Sequence, residues 1–245
     1  MSSKIGLNLT RNYSINFSLP KRHKKTIKFL IIHYTGMKTE TSAIKKLLNP
    51  KSKVSSHYFI KDNGQIINFV PDEYIAWHAG QSNWKNFKSL NKYSIGIEIN
   101  NPGHTHGYRK FNTKQIYSLI KLLKCLIKKF KIKKQNVLGH SDVAPHRKKD
   151  PGENFPWCKL AVKNLCVWHN ISKKTRIKNR KIKIKPNEKK LFFNNLNVIG
   201  YFESKKIKHR KNKKYLIMAF QRRYRQELID GKIDKECLII SKSLK

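Results

Sequence analysis

Four uninterrupted apolar residues, Phe29-Leu30-Ile31-Ile32, follow a lysine-rich lead-in and precede a polar turn. A short apolar run of this kind marks a strand buried on both faces, and here it delivers His33 at its C-terminal end. The runs His57-Tyr58-Phe59-Ile60 and Gln65-Ile66-Ile67-Asn68-Phe69-Val70 flank Lys61-Asp62-Asn63-Gly64. Asn and Gly tolerate the positive φ of a tight turn, so two adjacent antiparallel strands are predicted. In Ser94-Ile95-Gly96-Ile97-Glu98-Ile99-Asn100 the isoleucines alternate with small or polar residues. That is strand periodicity, and it turns Glu98 away from the isoleucine face. Val137-Leu138-Gly139 is a further short strand, ending at His140.

Helical spacing appears between these strands. Thr41-Ser42 is predicted to cap a helix carrying Ile44, Leu47 and Leu48. From Thr113, the residues Ile116, Leu119, Ile120, Leu123, Ile127 and Phe130 recur at helical intervals with lysines between them. This describes an amphipathic helix laid on the sheet. The alternation predicts an α/β domain, a central mixed β-sheet flanked by helices, over residues 1–170. Residues 171–190 are nearly all basic or polar without core spacing and read as a linker. Residues 191–245 carry three apolar patterns of helix length and read as a small all-α domain.

Composition adds bounds. The 245 residues are 38% hydrophobic and 11% aromatic, too apolar for a disordered chain. Lysine and arginine number 55 against 14 acids, a formal charge of +41. Such a surface attracts any polyanion, so it speaks of association rather than of fold or reaction. Lys, Asn and Ile crowd the whole chain, and biased base composition accounts for this charge as readily as a partner does. Nucleic-acid binding is motivated by charge alone, and no specific nucleic acid is expected. Cys125, Cys158, Cys166 and Cys237 form no C-x-x-C pair and are expected as free thiols. The opening residues contain no continuous apolar stretch, and lysines interrupt the helical stretch 116–132 at every turn. No membrane span and a cytoplasmic location are therefore expected, with a periplasmic or envelope location as the alternative.

Three polar residues sit where apolar segments end: His33, His140 and Asp150. Two imidazoles and a carboxylate, with a fourth position left for water, suit a catalytic zinc ion. Spacing alone is weak evidence in a chain with ten histidines, so the surrounding residues matter. Ile31-Ile32-His33-Tyr34-Thr35, Ser56-His57-Tyr58, Ala76-Trp77-His78-Ala79-Gly80, Ser94-Ile95-Gly96-Ile97-Glu98, Gly139-His140-Ser141-Asp142-Val143-Ala144-Pro145 and Lys149-Asp150-Pro151-Gly152 occur in this order. Over residues 28–160 the chain resembles the zinc-dependent N-acetylmuramoyl-L-alanine amidases of type 2.

The resemblance implies a zinc site in a surface groove, with one Zn2+ per chain held by His33, His140 and Asp150. It implies Glu98 as general base and Lys148 as the cation that stabilises the transition state, although Lys149 is adjacent. Trp77 and His78 would line the substrate groove, with Tyr34 and Asn100 as further contacts. His57 falls where the family's histidine is structural. Phe155-Pro156-Trp157 would form a rim beyond the third ligand. Trp77, Trp84 and Trp157 also suit a core, and Asp142 and Glu153 are competing acids near the site. The substrate implied is peptidoglycan or a muropeptide, cut at the amide between N-acetylmuramic acid and L-alanine, by an enzyme expected to be a monomer.

Ala219-Phe220-Gln221 followed by Ile229-Asp230-Gly231-Lys232-Ile233-Asp234 is similar to a three-helix peptidoglycan-binding domain. A helical domain that simply packs on the catalytic one fits equally. A non-catalytic peptidoglycan-recognition protein is the alternative to the enzyme.

Overall fold

The computed structural model describes residues 8–202 and 209–245. Its six-stranded sheet runs, in spatial order, β1 (Leu9–Arg11), β5 (Ile66–Asn68), β4 (Tyr58–Ile60), β9 (Ser94–Ile99), β3 (Phe29–Tyr34) and β10 (Val137–Gly139). Strands β4, β9, β3 and β10 are mutually parallel, and β5 meets β4 antiparallel across the predicted hairpin. The sheet is therefore mixed. Two small antiparallel ladders pair β2 (Phe17–Ser18) with β6 (Ile75–Ala76) and β7 (Asn83–Trp84) with β8 (Phe87–Lys88). Strands β1 and β2 lie in a polar lead-in without alternation, where periodicity has nothing to register.

The sheet separates two cores because side chains alternate along each strand. Leu30, Ile32, Ile95, Ile97 and Ile99 pack with Ile116, Leu119, Leu123 and Leu126 of α2 (Thr113–Phe130). Asn112 and Gln115 form a reciprocal capping box at its start. Burying one such leucine stabilises by about 1.5–3 kcal/mol. Phe29, Ile31 and Leu138 face the other way, onto Phe192, Leu196, Leu216 and Phe220. A third cluster joins Ala43 and Leu47 of α1 (Glu40–Leu48) to Phe59 and Phe69. The cap of α1 is Thr39, which accepts from the backbone N–H of Ser42, two residues before the expected Thr41. A hydroxyl at the cap position reaches the third helical N–H, which Thr41 inside the first turn cannot do.

The C-terminal part contains α6 (Pro186–Ile199), α7 (His209–Tyr224) and α8 (Lys235–Ser243). These follow the short helices α3 (His140–Val143), α4 (Trp157–Val162) and α5 (Lys173–Asn179). Helix α5 lies inside the stretch read as a linker. Its Arg176 is buried against Glu227 at 3.0 Å, and Arg180 reaches Glu236 at 2.7 Å. The segment is fastened by ion pairs rather than by apolar spacing, the one signal sought there. Among the described residues no helix is long and apolar enough to cross a membrane, and all four cysteines are free.

Candidate metal centre and groove

The parallel strands bring the distant motifs together at their carboxyl ends, where α/β sheets bind ligands. His33 and Glu98 are direct neighbours in the β3–β9 register. Gly139 pairs with Ile32, so His140, the next residue, emerges beside His33. Asp150 is tied to the start of α3 by Ser141 N–H, which donates to its carbonyl at 2.8 Å.

His33 Nδ1 and His140 Nδ1 lie 2.9 Å apart, and each is 3.0 Å from Asp150 Oδ2. All three residues are buried. Among the described residues they form the group of His, Cys, Asp and Glu whose ligand atoms are close enough to hold an ion. The outer nitrogen of His140, Nε2, is 3.1 Å from the Ala79 carbonyl. A carbonyl only accepts, so the ring proton is on Nε2 and Nδ1 presents a lone pair. Burial first, and then the neighbouring His140, lowers the His33 pKa to about 4, so the His33 ring is neutral near pH 7. Asp150 stays ionised because interactions with His140 and then His33 outweigh its burial and hold the carboxyl well below the usual range. Two ring nitrogens and a carboxylate oxygen thus converge to within 3.0 Å of one another. This donor set is one that zinc accepts. The residues therefore fit the metal.

Around this triangle lies a groove of about 440 Å3 whose lining includes Tyr34, Trp77, Glu98, His104 and Lys148. Glu98 Oε2 is buried and has no hydrogen-bond partner among the described residues. Burial, followed by the Asp150 charge, raises the Glu98 pKa well above the usual value, while Lys148 and Lys46 pull it back. Lys148 and Lys149 both line the groove, but Lys148 is the lysine of that pair whose charge acts on His33 and Glu98.

Of the expected groove residues, Trp77 lines it with its Nε1–H fixed to Ser18 Oγ at 2.8 Å. Tyr34 lines it with its hydroxyl 2.9 Å from His104 Nδ1, and burial plus the Asp150 charge push its pKa up to about 12. His78 also lines the groove, although it is only 9% exposed, and its Nδ1 is 3.0 Å from His33 Nε2. Asn100 is not brought into the groove. It is 4% exposed and donates to Asp62 Oδ2 at 2.8 Å, because β9 ends at Ile99 and Asn100 already belongs to the segment beyond the strand. Phe155 and Trp157 are not a rim either: both are at most 1% exposed and belong to the core. His57 is fully buried and its Nδ1 accepts from Gly96 N–H at 3.0 Å. Sequence reading missed Lys46 and His104, both in the groove. His104 is braced by Glu153 at 3.1 Å and stacks on Tyr108 at 4.4 Å. Its loop, Gly103-His104-Thr105-His106, carries no periodicity to flag it.

A mixed sheet with a convergent His-His-Asp cluster and a glutamate beside it at the strand ends defines an α/β metallohydrolase. Residues 23–153 match the family described as N-acetylmuramoyl-L-alanine amidase, and the chain belongs to that family. It is 35% identical over 230 residues to the N-acetylmuramoyl-L-alanine amidase AmiD of Escherichia coli K12, covering 89% of this chain and 82% of AmiD. The solved complex of E. coli AmiD with anhydro-N-acetylmuramic acid-L-Ala-D-γ-Glu-L-Lys superposes with a TM-score of 0.79 at 32% identity, over 93% of this chain and 91% of AmiD. AmpDh3 of Pseudomonas aeruginosa in complex with an anhydromuramic pentapeptide gives 0.78 at 28% identity, over 96% and 97% of the two chains. Coverage of that extent runs through the C-terminal helices as well as the sheet.

Proposed function

We propose that this chain is a zinc-dependent amidase that hydrolyses the amide between N-acetylmuramic acid and L-alanine, with soluble anhydro-muropeptides as its preferred substrates. The observation that carries this reading is the convergence of His33 Nδ1, His140 Nδ1 and Asp150 Oδ2 to within 3.0 Å of one another, next to Glu98 in an open groove. The anhydro sugar in the solved complexes of AmiD and AmpDh3 supports the substrate preference. Intact wall in an envelope compartment is the competing substrate. Release of stem peptide from an anhydro-muropeptide at a rate well above that from intact sacculi, resolved by HPLC, is the expected result. No release from either with zinc present would refute the activity itself.

His33, His140 and Asp150 would hold one zinc ion per chain. When bound, the ion would supply Lewis acidity, which lowers the pKa of water toward neutrality. The remaining work falls to side chains. Glu98, with its unpartnered oxygen and raised pKa, takes a proton from the attacking water and returns it to the departing amine of L-alanine. Lys148 offers its ammonium to the negative charge that develops on the carbonyl oxygen. Tyr34 and Trp77 shape the walls beside the scissile amide. Lys46, Arg147, Lys148 and Lys149 ring the groove and suit the several carboxylates of a stem peptide.

A recognition protein without catalysis is disfavoured because the triangle is complete and Glu98 stands beside it. For the C-terminal helices, the contact between α7 and the turn that carries His140 supports a role as part of the catalytic body. Arg223 Nη1 lies 2.7 Å from Asp142 Oδ2, and Tyr201 donates to Asp142 Oδ1 at 2.7 Å.

A further inference from the structure

We infer that His78 is a positioning residue that selects which nitrogen His33 presents to the metal, and that the loop Trp77-His78-Ala79-Gly80 serves both imidazole ligands at once. The inference rests on the metal-site reading above and assigns His78 a task other than binding substrate. It follows from where each proton in a buried chain of hydrogen bonds must sit.

The chain starts at Ser94. Its hydroxyl is 2.6 Å from the Leu90 carbonyl, which can only accept, so the single hydroxyl proton points there. Ser94 Oγ is also 3.2 Å from His78 Nε2 and must therefore accept from it. His78 thus carries its proton on Nε2 and leaves a lone pair on Nδ1. That lone pair, 3.0 Å from His33 Nε2, accepts the ring proton of His33. His33 Nδ1 is left bare, and it is the atom that faces His140 and Asp150. Both nitrogens of His78 are engaged, so none remains for a substrate.

Two more features show that the loop is built for this. The imidazole of His78 occupies the space above Gly96 in the middle of β9, where a Cβ would come within 2.4 Å of His78 Cγ. The backbone is held on both sides. Asn91 Oδ1 accepts the N–H groups of His78 at 3.2 Å and of Ala79 at 2.7 Å. Arg147 donates to the carbonyls of Ala79 at 2.9 Å and Gln81 at 2.7 Å. The Ala79 carbonyl so fixed is the acceptor for His140 Nε2–H. Consecutive residues of one loop thus set the tautomer of both ligands. Groups in this position typically change metal affinity about 10–100-fold when removed, because the ligand ring loses its orientation.

The test uses the full chain and zinc alone, with affinity read by competition against a chromophoric chelator and folding checked by circular dichroism. His78→Phe is expected to weaken zinc binding about 10–100-fold. His78→Asn, whose amide oxygen can stand in for Nδ1, is expected to recover most of that loss, a rescue that mere filling of space would not give. A folded His78→Phe variant that binds zinc within about two-fold of the parent would overturn the inference. Should both variants fail to fold, long-range 1H–15N correlation on the unsubstituted zinc-loaded chain decides. A proton on Nε2 of His33 and of His78 supports the inference, and a His78 protonated on Nδ1 overturns it. Zinc affinity and tautomer are measured without substrate, so a chain that passes here yet releases no stem peptide would refute the amidase reading alone.

Discussion

The sheet and the C-terminal helices are held by different forces. On the α2 side of the sheet the contact is hydrocarbon: Leu30, Ile32, Ile95, Ile97 and Leu119 are all fully buried against one another. On the helical side, charges are buried among the apolar residues. Arg225 and Glu236 have no exposed surface, Arg225 pairs with Asp234, and Arg223 lies between Asp142 and the ring of Trp157, 3.9 Å from its centre. Apolar burial is non-directional and tolerates small shifts, whereas a buried ion whose partner is removed keeps its desolvation cost with nothing to offset it. The first region can thus be built from pattern alone. The second must be built from specific pairs, and those pairs reach the catalytic turn.

The sharpest way to separate function from stability in this comparison is at the strand ends. Glu98→Gln is expected to lower kcat about 10²–10⁴-fold while the protein keeps its zinc and its melting temperature, as read by metal analysis, stem-peptide release and calorimetry. Equal loss of metal would mean that Glu98 helps to hold the ion instead.

Next in size, Arg223→Met should destabilise by about 3–5 kcal/mol in urea unfolding, because it strands the buried Asp142 carboxylate. A change below about 1 kcal/mol would show that α7 merely rests on the catalytic turn. Leu119→Ala in α2 should cost a comparable or smaller 2–5 kcal/mol through the cavity it leaves. Its cost should be unchanged by salt, since no charge is involved.

This contrast also explains what could be read from the chain. The β3, β4, β5, β9 and β10 strands and helix α2 announce themselves by period, and the motifs at their ends pointed to His33, His140, Asp150 and Glu98, which the fold brings into one place. Helix α5 was not legible because arginines fasten it, and in a chain of +41 one more basic run carries no signal. His78 was recognisable as part of the site but not as a support behind His33, since its depth depends on Gly96 lying across from it. Asn100 shows the reverse case. Proximity in sequence to Glu98 suggested a groove contact, but β9 ends at Ile99 and the Asn100 side chain goes to Asp62.

A smaller effect distinguishes the helical side by pH. His169 is buried with its Nε2 3.2 Å from the Tyr224 carbonyl, and burial, then the charge of Arg176, lowers its pKa from 6.5 to about 4. The unfolded chain therefore takes up this proton first as pH falls, so the stability it contributes is complete above about pH 6.5 and declines toward pH 4. His169→Gln is expected to flatten that part of the stability profile relative to the parent. An unchanged slope would place the titration elsewhere.

The most direct test of the account is the zinc content of the purified chain after dialysis against a slight excess of the ion. The expected result is one zinc per chain in the parent and in Glu98→Gln, and close to none in His140→Ala. A parent chain that retains no zinc, or a His140→Ala chain that retains as much as the parent, would contradict it.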